Sequence, residues 1–128
     1  TVASLIEAEA KLDEDRPLVS SVIRNRLDQN MLLQIDATVL YSLQKRKTQV
    51  LLIDLQVDSP YNTYKYTSLP PTPISGFGEK SMEAIFNTPE NQYIYYLLTD
   101  LNGKMTFTEN YEEFINLKNK AKDEGVIP

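Results

Sequence analysis

Four of the chain's seven prolines fall within residues 59–73, together with three tyrosines. Proline fixes φ, has no N–H to donate and pushes the residue before it out of the helical region, so this stretch forms neither a regular helix nor a central strand. It predicts an extended, rigid loop. That loop divides the 128 residues into an N-terminal half with helical patterning and a C-terminal half containing β-rich runs.

In the first half, Val2, Leu5, Ile6 and Leu12 recur at helical spacing, which predicts an amphipathic helix over 1–12 ended by the acidic residues 13–15. Pro17 suits a first helical turn, and Leu18, Val19, Val22, Ile23 and Leu27 continue as a second helix that Asn30 stops. Residues 36–44 predict a short helix capped by Asp36. The basic residues Lys45, Arg46 and Lys47 read as a solvated loop, and the apolar run 49–55 fits strand or helix equally. Further on, 81–86 predicts a helix, 93–99 and 104–108 a β-hairpin whose turn contains Gly103, and 110–122 a closing helix. Together these elements describe a single α+β domain of several short helices packed around a small hairpin.

Composition narrows the chemistry. The chain has no cysteine and no histidine. Thiol nucleophiles, disulfides, iron–sulfur clusters, Cys/His zinc sites and Ser-His-Asp arrangements are therefore excluded. A net charge of −5 repels phosphate backbones, so nucleic acid is not expected as a partner. No apolar stretch approaches the roughly 20 residues of a membrane helix. The chain enters a helical pattern directly at Thr1, which reads as a fragment of a longer protein whose anchor or targeting signal would lie upstream.

An enzyme of this composition must draw its acid and base from carboxylates, Lys and Arg, or Tyr. On a helical wheel Glu9 lies at the centre of the stripe made by Val2, Leu5, Ile6 and Leu12, whereas Glu7 points to the opposite side beside Ala3 and Lys11. Burial disfavours the charged carboxylate, so the pKa of Glu9 is expected to rise, the condition for a general acid near neutral pH. The same placement fits a partly buried glutamate paired with Arg16 or Arg26. The loop over 59–73 fits either the wall of a sugar-binding cleft or a cover for the core.

Several runs carry a resemblance. Ala3-Ser4-Leu5-Ile6-Glu7-Ala8-Glu9-Ala10, followed by 16–27, resembles the opening of the catalytic domain of the YceG-like family, the membrane-anchored endolytic murein transglycosylases also called MltG. Residues 31–41, Met-Leu-Leu-Gln-Ile-Asp-Ala-Thr-Val-Leu-Tyr, are similar to that family's M-x-L-Q-[ST]-D-P-T-V-x-Y run. Ser-Pro-Tyr-Asn-Thr-Tyr at 59–64 and Leu-Pro-Pro-Thr-Pro-Ile at 69–74 resemble its S-x-Y-N-T-Y and L-P-P-G-P-I loop. The chain departs from the pattern at Ala37, where the family has Pro, at Thr72, where it has Gly, and at Met105 and Phe114, which are histidine in many members.

The resemblance implies that Glu9, the second glutamate of the family's I-[IV]-E-x-E helix, is the catalytic acid. It implies cleavage of the β-1,4 bond between N-acetylmuramic acid and N-acetylglucosamine to leave a 1,6-anhydromuramyl end, with no metal and no cofactor. Peptidoglycan glycan strands are then the expected substrate, with cell-wall synthesis proteins as further candidate partners. Residues 1–128 would be the catalytic domain, preceded by a LysM-like subdomain and a single membrane helix, and lying on the extracytoplasmic side of the cell membrane. The cleft is expected between the first helix, the corner at 34–38 and the tyrosine loop, with Gln34, Asp36, Thr38, Tyr61, Asn62 and Thr63 binding substrate. The missing histidines also suggest an alternative, a glycan-binding module weakened in catalysis.

Overall fold

A computed structural model of the chain describes residues 1–44 and 49–128. Helices α1 (Val2–Glu9), α2 (Arg16–Asp28), α3 (Asp36–Leu43) and α4 (Glu79–Phe86) precede a hairpin of β1 (Tyr95–Leu98) and β2 (Met105–Thr108), and α5 (Tyr111–Asp123) follows it. The expected α+β arrangement is the one observed. Lys45, Arg46 and Lys47 lie outside the described residues.

Helix α1 is the centre of the packing and touches α2, α3 and α4. Its Leu5 and Ile6 are fully buried, and a side chain of that kind contributes roughly 1.5–3 kcal/mol when removed from water. Val19 and Ile23 of α2, Leu33 and Ile35 ahead of α3, Ala84 of α4 and Met105 of β2 complete the core around them.

The first helix is shorter than its apolar spacing predicts. Ala10 turns to extended backbone at φ −90°, ψ 133°, and a 3-10 turn over Asp13–Asp15 then leads into α2. Leu12 is therefore not on the helical stripe, and Glu9 is the last residue of α1 rather than the middle of a longer face. The cause lies at Asp15, which is fully buried. Its carboxylate accepts the Met105 N–H at 3.0 Å and pairs with Lys104 Nζ at 3.2 Å. This draws the acidic turn onto the start of β2.

The hairpin pairs Tyr95 with Thr108, Tyr96 with Phe107, Leu97 with Thr106 and Leu98 with Met105. Its turn needs Gly103, which has φ 99° and sits where a Cβ would come within 3.1 Å of Lys11 Cβ. Helix α5 covers β1, with Phe114 stacked on Tyr95 at 5.1 Å between ring centroids. The undecided run 49–55 contributes to a 3-10 helix, Leu52–Gln56, in which Leu52 and Ile53 are exposed.

The proline-rich loop is held by its own polar side chains. Asn62 is fully buried; its Nδ2 donates to the carbonyls of Leu55 and Val57 at 2.9 and 2.8 Å, and its Oδ1 accepts the Tyr64 N–H at 3.0 Å. Thr63 Oγ1 accepts the Ile35 N–H at 2.9 Å and shares a hydrogen bond with Thr38 Oγ1 at 2.8 Å. These bonds fasten the loop to the entry of α3. No helix among the described residues is long and apolar enough to cross a membrane.

Candidate active site

Glu9 faces a cleft of about 400 Å³. Gln34 and Asp36 line one side, Phe114 and Lys118 of α5 another, and Tyr64 and Tyr96 bring two phenol groups to the same space. The Tyr96 hydroxyl donates to Glu9 Oε1 at 3.0 Å, and the Tyr64 hydroxyl donates to Asp36 Oδ1 at 2.5 Å.

Burial pushes the Glu9 carboxyl up from 4.5 to about 7, and the negative charge of Asp36 adds to the shift; the Tyr96 hydrogen bond and the positive charge of Arg26 oppose it. The C-terminal end of α1, where backbone carbonyls lack helical partners, also favours the neutral acid. Glu9 nevertheless keeps part of its surface open to the cleft. A carboxyl group that is half protonated near neutral pH and reachable by a ligand is equipped to donate a proton and take one back.

Glu7 is the opposite case. Its Oε1 accepts the Gly78 N–H at 2.8 Å and the Ser81 hydroxyl at 2.9 Å, and Arg16 Nη1 lies 3.6 Å from Oε2. The hydrogen bond from Gly78 is the chief reason its pKa falls below the ordinary carboxylate range. Glu7 thus ties α1 to the start of α4, and Lys11, expected beside it on the same helical face, lies beyond the end of α1.

The ion-pair reading of Glu9 does not hold among the described residues. Arg16 pairs with Glu7 and Asp13. Arg26 uses its Nε on the Ile94 carbonyl at 2.7 Å and its Nη1 on the carbonyls of Leu32 and Leu33, both at 3.0 Å, while its guanidinium lies 5.6 Å from the centre of the Tyr95 ring. It reaches Glu9 only through its field.

The remaining expected residues divide. Gln34 is exposed, with φ 54°, and lines the cleft. Asp36 lines it too, but it does not cap α3: Ile35 is the N-cap, no side chain caps the helix, and the Asp36 carboxylate is engaged by Tyr64 instead. Thr38, Asn62 and Thr63 require correction as direct substrate contacts. Their relative exposures are 0%, 0% and 1%, and their polar atoms are taken up by the bonds that hold the loop. Tyr61 lines a neighbouring groove with Tyr41, not the Glu9 cleft.

Tyr96, Tyr64 and Lys118 were not singled out from the sequence. Strand alternation carried a usable signal for Tyr96, since it sits two residues before Leu98 on one face and opposite Phe107. Of the two positions that are histidine in many members of the resembling family, Phe114 lines the cleft whereas Met105 is part of the core.

Fold and site together define an α+β domain in which one carboxyl group of raised pKa, at the end of the central helix, opens to a cleft. The chain belongs to the YceG-like family, whose model matches residues 1–120. It is 47% identical over 126 residues to an endolytic murein transglycosylase of Bacillus subtilis (strain 168), covering 98% of this chain and 34% of that protein. It is 34% identical over 118 residues to an endolytic murein transglycosylase of Streptococcus pneumoniae serotype 2, covering 88% of this chain and 21% of the relative. The chain therefore spans about a third or less of these relatives. The crystal structure of a putative YceG-like protein from Listeria monocytogenes matches with a TM-score of 0.87 and 46% identity, covering 91% of this chain and 38% of that one.

Proposed function

We propose that this chain is the catalytic domain of a lytic transglycosylase acting on peptidoglycan glycan strands. The observation that carries the reading is the Glu9 carboxyl, raised to about 7 by burial, open to a cleft and held by the Tyr96 hydroxyl. The names of the relatives support the substrate class.

In this reading protonated Glu9 gives its proton to the oxygen linking C1 of N-acetylmuramic acid to N-acetylglucosamine, and the C1–O bond breaks with oxocarbenium character. The resulting carboxylate, stabilised by the Tyr96 O–H, then takes the proton from the C6 hydroxyl of the same muramyl residue as O6 bonds to C1. The product is a 1,6-anhydromuramyl end, and Glu9 is protonated again. One carboxyl group serves both steps because the nucleophile belongs to the substrate. The Asp36 carboxylate, held by Tyr64, contributes negative charge near the developing cation. The domain would work on the cell-wall side of the membrane, where its substrate lies, as part of a longer, singly anchored protein with partners in wall synthesis.

Mass spectrometry of purified glycan strands incubated with the domain tests this. Anhydromuramyl ends, lighter by one water than hydrolysed ends, are expected with the wild type and not with Glu9→Gln. Binding to strands without new ends would favour the glycan-binding module instead.

A further inference from the structure

Lys118 stands apart from the other charged groups of the Glu9 cleft. It lies half-buried on α5 and lines the cleft together with Phe114, one helical turn before it. No hydrogen bond or ion pair joins it to any of the described residues. Arg26, the other cation lining the cleft, is buried and gives Nε and Nη1 to backbone carbonyls. Lys118 is thus the cation that the cleft presents to a ligand.

The ordinary structural roles of a helix lysine do not account for it. An ion pair along α5 is closed to it, because the residues three and four positions away are Phe114, Ile115, Ala121 and Lys122. The helix dipole favours a cation in the last turn, at 120–123, and Lys118 precedes that turn. Lys120, which does lie there, has Glu124 as a partner at 3.9 Å. Lys118 does not set the acidity of Glu9 either, since the charges that act on that carboxyl are those of Asp36 and Arg26.

Its position is nevertheless fixed. Phe114 stacks on Tyr95, and Tyr111 lies 5.7 Å from the Tyr95 ring and 6.4 Å from that of Phe114, so three rings hold α5 in register on β1. The cleft is polar across its width: carboxyl groups enter it from α1 and α3, and the ammonium group enters from α5. N-acetylmuramic acid has the matching polarity. Its C1 gains positive charge as the glycosidic bond breaks, and C3 of the same ring carries a lactyl ether that ends in a carboxyl group.

We propose that Lys118 is a specificity-determining residue whose ammonium group binds a carboxylate on the 3-O branch of the muramyl unit presented to Glu9. In a peptide-free strand that carboxylate is the lactyl group itself; in a stem-bearing strand, where the lactyl carboxyl is amide-linked, it belongs to the peptide. The proposal rests on the transglycosylase reading and deepens it: the cleft selects an anionic strand, and opposite charges on its walls turn C1 toward Glu9 and the branch toward α5.

The test uses peptide-free muramyl tetrasaccharides with their lactyl carboxyls either free or converted to primary amides, and stem-bearing fragments treated in the same two ways. Dissociation constants are read from amide chemical-shift titrations of the 128-residue chain carrying Glu9→Gln, which leaves the ligand intact. The free-carboxylate form is expected to bind roughly tenfold more tightly than the amidated one, the worth of one hydrogen bond between charged groups. Lys118→Met keeps the length of the side chain and should abolish the preference by weakening the carboxylate form alone, while Lys118→Arg should retain it. A preference among peptide-free fragments assigns the carboxylate to the lactyl group, and one confined to stem-bearing fragments assigns it to the peptide. Equal binding of charged and amidated forms in both series, or an equal loss of both on Lys118→Met, would overturn the role of Lys118. A Lys118-dependent preference without anhydromuramyl ends from the chain with Glu9 intact would leave the carboxylate site standing and overturn the transglycosylase reading. Fragments that perturb no amide of the cleft would overturn both.

Discussion

The hydroxyl of Tyr96 donates to Glu9 Oε1 at 3.0 Å across a separation of 87 residues, joining the hairpin to the end of the first helix. The bond occupies one carboxyl oxygen and leaves Oε2 to carry the proton. Burial beside the Glu9 carboxylate holds the Tyr96 phenol well above its ordinary pKa, so it remains a donor throughout the working range of the acid. The hairpin thereby orients the acid and moderates the rise in its pKa.

Tyr96→Phe removes that donor while keeping the ring. The lost bond favoured the charged carboxylate, so the pKa of Glu9 should rise further and the alkaline limb of the rate profile should move up by about one pH unit, the worth of a hydrogen bond to a charged group. The rate at its plateau should fall, because the carboxyl is less well oriented. An unchanged profile at lower expression would mean that Tyr96 serves packing alone.

The two glutamates of α1 should separate cleanly. Glu9→Gln keeps size and removes the proton, so turnover should drop by roughly 10²–10⁴-fold with the fold retained. Glu7→Gln loses charge-assisted bonds to Gly78, Ser81 and Arg16 and should lower the thermal midpoint while leaving turnover within severalfold. Turnover of both variants and their melting curves decide the matter. A dead Glu7 variant beside an active Glu9 variant would reverse the assignment.

The contrast between these glutamates was legible in the sequence because Leu5 and Ile6 mark the buried side of the helix whether or not it runs on to Leu12. What escaped was the helix end, since Asp15 is drawn inward by Met105 and Lys104 from a strand far along the chain. No local pattern encodes that contact. Asn62 and Thr63 were placed in the cleft because amide and hydroxyl groups suit sugars, yet the same groups also suit buried carbonyls and N–H groups of an irregular loop. A loop without regular structure must satisfy its backbone with side chains, and here those two residues do so. The hairpin and α5 were readable because alternation and a Gly-containing turn are local signals.

Asn62→Ala tests that reassignment. It removes the donor from the carbonyls of Leu55 and Val57 and the acceptor from the Tyr64 N–H, which should destabilise the domain by about 2 kcal/mol or more. The thermal midpoint should fall, and glycan affinity measured well below that midpoint should change little. A variant of wild-type stability with lost affinity would return Asn62 to the substrate.

Stability should also depend on pH through Glu9. Its folded pKa of about 7 lies above the ordinary 4.5, so between those values the folded state holds a proton that the unfolded chain releases. Below about pH 4.5 both states are protonated and the contribution is constant; from there stability declines as pH rises, and above about pH 7 both are ionised and the decline ends. The full effect is of the order of 3 kcal/mol. Glu9→Gln has no such titration, so its thermal midpoint should be flatter across this window and should exceed that of the wild type most clearly on the alkaline side. Activity should fall over the upper part of the same range, because the acid that must donate is being lost. Parallel midpoint curves for the two proteins from pH 4 to 8 would show that the Glu9 carboxyl is not desolvated in the folded domain, and the acid role would then need a different physical basis.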